Sequence, residues 1–178
     1  MTNLSPSVLS IRKMTTDDLD CVLTWRNHPD IRSYMYTKHE ITLSEHREWF
    51  ERSSLDPHKH MLIFEVDEIA QGFVNINESS SAGVASWGFY VAPDAVKGTG
   101  RKLGGAALNY AFSTLQLHKI CGQALSFNER SIKLHQALGF HQEGTLREQY
   151  CDGKIYHSII CFGLLSTEWQ VTIKGLNK

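Results

Sequence analysis

The chain has 178 residues, of which 42% are hydrophobic and 21% charged, and its net charge is −1. This length and composition predict a single globular domain over residues 1–178. A near-neutral chain argues against nucleic acid as the main partner, because phosphate binding usually needs a basic surface. No apolar run approaches the roughly 20 residues that span a bilayer. Residues 1–7 also lack the apolar core of a signal peptide, so a cytoplasmic protein without a membrane partner is expected.

The first half of the chain predicts a strand, two helices and three antiparallel strands. Thr15 or Thr16 is expected to cap the first helix, and Thr42 with Glu45 forms a capping-box pattern for the second. The turn signals at residues 67–68 and 79–83 separate runs of strand formers. The expected strand covers residues 8–12, the helices reach residue 26 and cover 43–53, and the later strands cover 61–66, 69–77 and 84–91.

The second half predicts a helix, a strand, a second helix and a final hairpin. Asn128 is expected to cap the second helix, and Gly139 is a suitable residue just past its end. Asp152 and Gly153 form a hairpin turn signal. The expected helices cover residues 101–115 and 128–138, and the strands cover 120–126, 144–150 and 154–165. This order predicts an α/β (α+β) fold, with a mixed central sheet of about seven strands flanked by helices on both faces.

The glycine-rich loop at residues 97–102 joins a strand to a helix and suits a pyrophosphate. Small residues let a ligand approach the backbone, free N–H groups point out of the first helical turn, and the helix dipole favours an anion. Lys97, Arg101 and Lys102 add positive charge. The loop is not a P-loop, because no Gly–Lys–Ser/Thr sequence ends it. A tight turn with close packing is the alternative explanation.

Two motifs resemble those of the GNAT acetyltransferases. Residues 95–100 are similar to the acetyl-CoA loop Q/R-x-x-G-x-G/A, with Ala95 at its first position. Residues 128–140 are similar to N-x-x-A-x-x-L-Y-x-x-x-G-F, the helix that flanks the pantetheine arm in that family. The resemblance covers essentially the whole chain and implies a GNAT fold, acetyl-CoA as co-substrate and, by family habit, a homodimer. It implies cofactor contacts from Phe89, Tyr90, Val91, Lys97, Gly98, Thr99, Gly100, Arg101, Lys102, Asn128 and Ser131.

The resemblance also implies direct transfer of acetyl to an amine. The last of the three antiparallel strands, at residues 84–91, is expected to splay from its neighbour. Its N–H groups at residues 89–91 would polarise the acetyl oxygen. The departing thiolate needs a proton. His135 occupies the position of the family's usual tyrosine acid, and Tyr90 is a second candidate. A helix-face histidine without a catalytic role is the alternative. The base is left open between a water held by Gln123 or a backbone carbonyl and His46.

The N-terminal segments at residues 25–36 and 41–50 resemble the UDP-4-amino-4,6-dideoxy-AltNAc N-acetyltransferases of pseudaminic acid biosynthesis. A UDP-amino sugar is therefore the expected acceptor. An arginine can pair with a diphosphate, an aromatic ring can stack on uracil or sugar, and a methionine can line an apolar wall. The expected acceptor residues are Arg26, Asn27, Met35, Tyr36, His46, Trp49 and Gln123. The competing interpretation places Trp49 and Met35 in the core and Arg26 at the surface.

Three other functions remain open from the sequence. Residues 143–148 and 152–154 resemble the C-terminal hairpin of ribosomal-protein N-terminal α-amino acetyltransferases. A polyamine or aminoglycoside is cationic and would favour an acidic pocket, which the arginine-containing N-terminal segment does not indicate. A catalytically silent acetyl-CoA-binding domain would explain the missing tyrosine at position 135.

Neither the histidines nor the cysteines indicate a metal or a disulfide. His58 and His60 form an H-x-H pair, but no third ligand follows at zincin-like spacing. The four cysteines show no C-x-x-C spacing, and buried free thiols are expected. Direct attack on the thioester gives them no catalytic role.

Overall fold

The computed structural model describes residues 7–170, which fold around a seven-stranded sheet. The strands are β1 (Leu9–Lys13), β2 (Lys59–Val66), β3 (Ile69–Glu78), β4 (Val84–Val91), β5 (Lys119–Leu125), β6 (His141–Cys151) and β7 (Tyr156–Leu165). Their order in the sheet is β1-β2-β3-β4-β5-β7-β6. Every neighbouring pair is antiparallel except β4 and β5, which are parallel. The predicted mixed sheet is confirmed.

Helices cover both faces of the sheet, as expected from the sequence. They are α1 (Leu19–Asn27), α2 (Pro29–Arg32), α3 (Leu43–Ser54), α4 (Thr99–Asn109) and α5 (Glu129–Ala137). A 3-10 turn at Thr16–Asp18 precedes α1, which ends one residue beyond the predicted residue 26, and a separate short helix, α2, begins at Pro29. Proline suits the first turn of a helix, where its missing N–H group leaves no bond unmade. The predicted helix to residue 115 ends as a π-helical turn at Tyr110–Thr114.

Two hydrophobic clusters lie on opposite faces of the sheet. Alternate residues of β2 enter different clusters, because successive side chains of a strand point to opposite faces. Leu62 packs with Leu103 of α4, whereas Ile63 packs with Val22 of α1. All four of these side chains are fully buried. The sheet therefore separates a face covered by α4 and α5 from a face covered by α1 and α3.

Local hydrogen bonds explain where several elements begin. The hydroxyl of Thr42 accepts from the amide of Glu45, and the Glu45 carboxylate accepts from the amide of Thr42, which confirms the predicted capping box. The side-chain oxygen of Asn128 accepts from the amide of Ser131 and caps α5. Asp152 Oδ1 accepts hydrogen bonds from the backbone amides of Lys154 and Ile155, which lie in the turn. Strand β7 therefore begins at Tyr156 rather than at the predicted residue 154.

The expectation that the cysteines are free and buried thiols is only partly confirmed. All four cysteines are free thiols. Cys151 is exposed and the other three are half-buried, so the expectation of burial was wrong.

No helix within residues 7–170 has the length and apolar character needed to cross a bilayer.

The two parallel strands of the sheet pair over only three residues each. Their partners are Val84 with Lys119, Ala85 with Ile120 and Ser86 with Cys121. Beyond Ser86 the strands separate, so the edge of β4 that faces β5 has no strand partner there. The predicted splay of the third meander strand is confirmed.

Candidate active site

A cleft of about 600 Å³ opens where β4 and β5 separate. Residues 86–93 form one wall, residues 121–125 form another, and the starts of α4 and α5 close one side. This volume falls in the range of small-molecule sites. Six of the residues predicted to bind the cofactor line the cleft, namely Phe89, Tyr90, Val91, Gly100, Asn128 and Ser131.

Glycine is favoured at two positions of the loop before α4, for a different structural reason at each. Gly98 has a φ angle of +98°, a backbone conformation that favours glycine, and it is the N-cap residue of α4. Gly100 lies close to Leu134 of α5 and Val91 of β4, so a side chain there would narrow the space between the helices and the strand. Both glycines thus shape the place where a ligand meets the start of α4.

Half of the loop amides are already bonded inside the loop. The amide of Thr99 donates to the carbonyl of Val96 over 3.1 Å, and its hydroxyl donates to the same oxygen over 2.8 Å. The amides that donate to the carbonyl of Gly98, over 3.1 and 3.3 Å, are those of Arg101 and Lys102. The amides that make no hydrogen bond within residues 7–170 are those of Lys97, Gly98 and Gly100. The prediction that the amides of residues 97–102 bind a ligand is therefore favoured for the three unbonded amides and less favoured for those of Thr99, Arg101 and Lys102.

Neighbouring residues of β4 face opposite sides of the sheet. Phe89 packs into the cluster under α4 and α5. Tyr90 belongs to the opposite cluster, where its ring centroid lies 5.2 Å from that of Phe73. Burial raises the pKa of the Tyr90 phenol above its usual range, although the nearby Arg26 cation opposes this. The Tyr90 hydroxyl therefore stays protonated.

His135 is buried beside the cleft with both ring nitrogens occupied. Only 2% of the residue is exposed. The indole Nε1 of Trp87 donates to His135 Nε2 over 3.2 Å, and His135 Nδ1 lies 2.8 Å from the carbonyl oxygen of Ser131. The imidazole stacks on Phe162 with a centroid distance of 4.8 Å. Gly122 lies directly against the ring, and a Cβ atom there would collide with it.

These contacts fix the protonation state of His135. Nε2 accepts from Trp87, so the single ring proton is on Nδ1, which donates to Ser131. Burial lowers the pKa of His135, with the Ser131 hydrogen bond opposing that shift. A neutral ring without a free N–H group has no proton to give. His135 lines the cleft, but these contacts argue against it as the general acid and favour a positioning role, so the predicted acid stays a prediction.

Three of the predicted acceptor residues line the cleft, namely Met35, Tyr36 and Gln123. The Tyr36 hydroxyl donates to Gln123 Oε1 over 3.4 Å. Its ring also meets Tyr150 edge-on, with centroids 5.4 Å apart. The loop after α2 and strand β5 are therefore joined across the acceptor side of the cleft.

Arg26 and Asn27 lie behind the cleft and hold the loop that precedes α3. Arg26 Nη2 donates to the carbonyl of Thr37 over 3.1 Å. Arg26 Nη1 is buried and has no partner among the described residues. Asn27 exchanges two hydrogen bonds of 2.8 Å with the backbone of Ile41. Neither residue is among those that line the cleft, so their predicted contacts with the acceptor stay predictions that this geometry does not favour.

His46 and Trp49 are packing residues of α3. Their rings stack with centroids 5.1 Å apart, and Trp49 also meets Phe73 edge-on. His46 is 5% exposed, and burial and the Arg26 cation lower its pKa. Neither ring lines the cleft. Their predicted roles in binding the acceptor, and that of His46 as a base, stay predictions, and the packing of both rings does not favour them.

Sequence reasoning missed a series of rings beside the acceptor end of the cleft. Tyr34 stacks on Phe127 with centroids 6.0 Å apart, and Phe127 meets His157 at 4.7 Å. His157 is the strand partner of Tyr150 in the β6–β7 hairpin. Only the pairing of the hairpin brings these residues to residue 34. The available signal was the aromatic content of the last hairpin, since residues 150, 156 and 157 all carry rings.

Comparison with known proteins supports one family. The family model described as "Acetyltransferase (GNAT) domain" matches residues 9–141. Acetyltransferase PseH from two strains of Campylobacter jejuni is 30% and 32% identical over 127 residues, which cover 70% of this chain and 77% of the relative. The structure of spermidine N-acetyltransferase from Vibrio cholerae in complex with CoA and spermine has a TM-score of 0.84 and 25% identity. That match covers 91% of this chain and 98% of the other.

Proposed function

The chain belongs to the GNAT acetyltransferase family, and on this basis we propose that it transfers acetyl from acetyl-CoA to the 4-amino group of a UDP-amino sugar. The family makes it an acetyl-CoA-dependent N-acetyltransferase; the acceptor is the proposal. The observation that carries it is the cleft between β4 and β5, which has the N-terminus of α4 on one side and the acceptor-side loop on the other.

The residues at the start of α4 fit the pyrophosphate of acetyl-CoA. Three amides without partners in the described chain lie where the helix dipole favours an anion. The side chains of Lys97, Arg101 and Lys102 are exposed and cationic at the same loop. Asn128 and Ser131 would flank the pantetheine arm, because both line the cleft at the start of α5. Bound acetyl-CoA supplies an acetyl group on a thioester that an amine can attack directly.

The exposed edge of β4 would provide the catalytic dipoles. Its N–H groups between Phe89 and Val91 donate to the acetyl oxygen and stabilise the charge that develops there during attack. Gln123 holds the water that removes the proton from the amine. Tyr90 lines the cleft and would supply the proton to the leaving sulfur as the C–S bond breaks, although burial raises the pKa of its phenol and so makes it a weaker acid. His135 stays neutral and fixes the position of Trp87.

The charge of the cleft supports a neutral or anionic acceptor rather than a polycation. Asp30 is the only carboxylate among the described residues that line it, and Arg130 is also present. A polyamine would need several carboxylates to offset the cost of desolvating its ammonium groups. The resemblance of the N-terminal segments to the UDP-amino-sugar enzymes, and the identity with Acetyltransferase PseH, support the nucleotide sugar.

A polyamine is the second candidate acceptor, and structural similarity to a polyamine acetyltransferase over most of the chain favours it. The match to the Vibrio cholerae spermidine N-acetyltransferase structure extends over 91% of this chain, whereas the match to Acetyltransferase PseH extends over 70%. The peptide acceptor and the silent domain have no comparable observation in their favour. Turnover with any amine would eliminate the silent domain.

The acceptor is tested by following thiol release from acetyl-CoA with a panel of amines. The panel contains UDP-4-amino-4,6-dideoxy-AltNAc, related UDP-4-amino sugars, spermidine and an N-terminal ribosomal peptide. We expect kcat/KM for the first compound to exceed that for spermidine by at least about a hundredfold, which corresponds to about 2.7 kcal/mol of selectivity. Turnover of spermidine or the peptide with none of the nucleotide sugars would refute the proposed acceptor.

A further inference from the structure

A second depression of about 490 Å³ adjoins the acceptor side of the cleft. We call it the aromatic groove, and its lining residues are Ser33, Lys38, Phe127, Asp152, Lys154 and His157. Tyr34 lines the cleft, and its ring stacks on Phe127, which lines the groove. The stacked rings of Tyr34 and Phe127 therefore lie between the two spaces, and a ligand that reaches from one space to the other would pass these rings.

The aromatic groove contains a partly exposed ring. Phe127 is 40% exposed although it is a large apolar residue. Its orientation is held by Tyr34 on one side and by His157, which meets it edge-on at 4.7 Å. A ring fixed in this way and open to solvent is a platform on which a planar base can stack.

The charge that the groove presents to a ligand is positive. Lys38 Nζ donates to the carbonyl of Ser33 over 2.6 Å and lies 5.5 Å from the centroid of the Tyr150 ring. The ammonium of Lys154 makes no ion pair with any residue in the described part of the chain. The carboxylate of Asp152 is already satisfied by His157 Nε2 at 2.8 Å and by two turn amides at 2.9 Å. The ammonium of Lys154 is thus available for an anion, and Lys38 adds a second positive charge to the groove while it keeps its contacts with Ser33 and Tyr150.

We propose that the aromatic groove binds the nucleoside diphosphate part of the acceptor, with the base on Phe127 and the phosphates between Lys38 and Lys154. This inference rests on the proposed nucleotide-linked acceptor. Arg26, predicted for the diphosphate, and Trp49, one of the two rings predicted for the base, are not among the residues that line the cleft, whereas the other ring, Tyr36, does line it. The aromatic groove combines a partly exposed ring with two lysines.

Binding of UDP by the purified protein tests the groove without any turnover. Phe127→Leu keeps an apolar side chain but removes the ring, and Lys154→Gln removes an exposed cation. We expect each substitution to weaken UDP binding about tenfold, as expected for loss of a base stack or a phosphate contact. Lys13→Gln is the matched control, because Lys13 is exposed on β1 at the opposite edge of the sheet. Unchanged UDP affinity in both groove variants would overturn the proposal.

Partial ligands identify the source of the binding energy. Uridine should lose affinity in Phe127→Leu but not in Lys154→Gln, and inorganic phosphate should show the opposite pattern. CoA should bind all variants equally, because its pyrophosphate belongs at the loop before α4. Loss of CoA affinity in Phe127→Leu would overturn the assignment to the acceptor.

A truncated acceptor separates this inference from the proposed function. The methyl glycoside of the 4-amino sugar has the reacting amine but no nucleotide. We expect Phe127→Leu to raise KM for the UDP-amino sugar about tenfold and to leave kcat/KM for the methyl glycoside unchanged. Equal losses with both acceptors would overturn the groove while leaving the UDP-amino-sugar activity established. Groove-dependent UDP binding without turnover of any nucleotide sugar would refute the proposed function and keep the nucleotide site.

Discussion

The indole Nε1 of Trp87 donates a hydrogen bond to Nε2 of His135 over 3.2 Å inside the wall of the cleft. An N–H···N bond of this kind requires a neutral imidazole, because a protonated ring would place a hydrogen on both nitrogens. The bond connects β4, whose edge lines the cleft, with α5, whose first turn lines the same cleft. His135, at the sequence position where the family usually has a tyrosine acid, therefore holds α5 against β4 through Trp87.

Substitution of His135 separates the positioning role from acid catalysis. We expect His135→Phe to lower the free energy of unfolding by about 1–3 kcal/mol, because the buried Trp87 N–H group loses its partner. The turnover rate at saturating acetyl-CoA should stay within about tenfold of the wild type. Urea denaturation and steady-state kinetics measure the two effects, and His118→Gln on the exposed surface is the control. A drop in turnover of about a hundredfold or more, with unchanged stability, would restore the general acid.

Stability should fall as the pH is lowered below neutrality. His46 and His135 are both buried with lowered pKa values, so the folded protein takes up their protons less readily than the unfolded chain. Their contribution is present above a pH of about 6.5 and is lost as the pH falls below it, at up to about 1.4 kcal/mol per pH unit for each group. Urea denaturation between pH 7.5 and 5.5 measures this slope. The slope should be smaller in His135→Phe, and an unchanged slope would contradict the neutral buried ring.

The conformation of Gly98 should matter more for acetyl-CoA than for folding. Gly98→Ala places a side chain at a φ angle of +98°, which costs about 1–2 kcal/mol. Because we propose that the amides beside it bind the pyrophosphate, we expect KM for acetyl-CoA to rise about tenfold while KM for the acceptor is unchanged. The matched control is Gly105→Ala, where the helix leaves open space and alanine should stabilise by up to about 1 kcal/mol. Equal KM values for the two variants would argue against this loop as the cofactor site.

Asn27 should affect the acceptor only through the loop that it holds. Asn27→Ala removes two hydrogen bonds to Ile41, with an expected loss of about 1–3 kcal/mol and faster proteolysis within residues 33–42. KM for the acceptor should rise, since Met35 and Tyr36 lie on that loop, and KM for acetyl-CoA should not. The control Asn109→Ala removes the bond from Trp169 Nε1 outside the cleft and should leave both KM values unchanged. A higher acceptor KM without faster proteolysis would point to direct contact instead.

Features that depend on neighbouring residues were predictable from the sequence. The capping box of Thr42 and the cap at Asn128 are confirmed, because each involves a backbone amide three residues away. The glycine at position 98 was likewise expected to shape the loop before α4, and it has a positive φ angle. Such interactions are short-range, so the residue types alone carry the information. The splay of β4 from β5 came instead from the resemblance to a known family.

The sequence did not allow us to predict which polar side chains of α1 and α3 are buried. Arg26 and His46 are residue types that usually reach solvent, yet each has a buried nitrogen without a partner among the described residues. Which face of each helix meets the sheet depends on how the helix packs over β2 to β4. The aromatic groove also forms only when the hairpin brings residues 150–157 beside the loop after α2. Contacts of this range are absent from local sequence patterns.

The three-residue pairing of β4 with β5 has a consequence for the order of the chain. The half of the sheet formed by β1 to β4 lies entirely before residue 92, and the half formed by β5 to β7 lies entirely after residue 118. Each wall of the cleft thus comes from one continuous stretch of sequence. A cut in the connection at residues 115–118 would leave two fragments that each contain one wall, so activity would report directly on their reassembly.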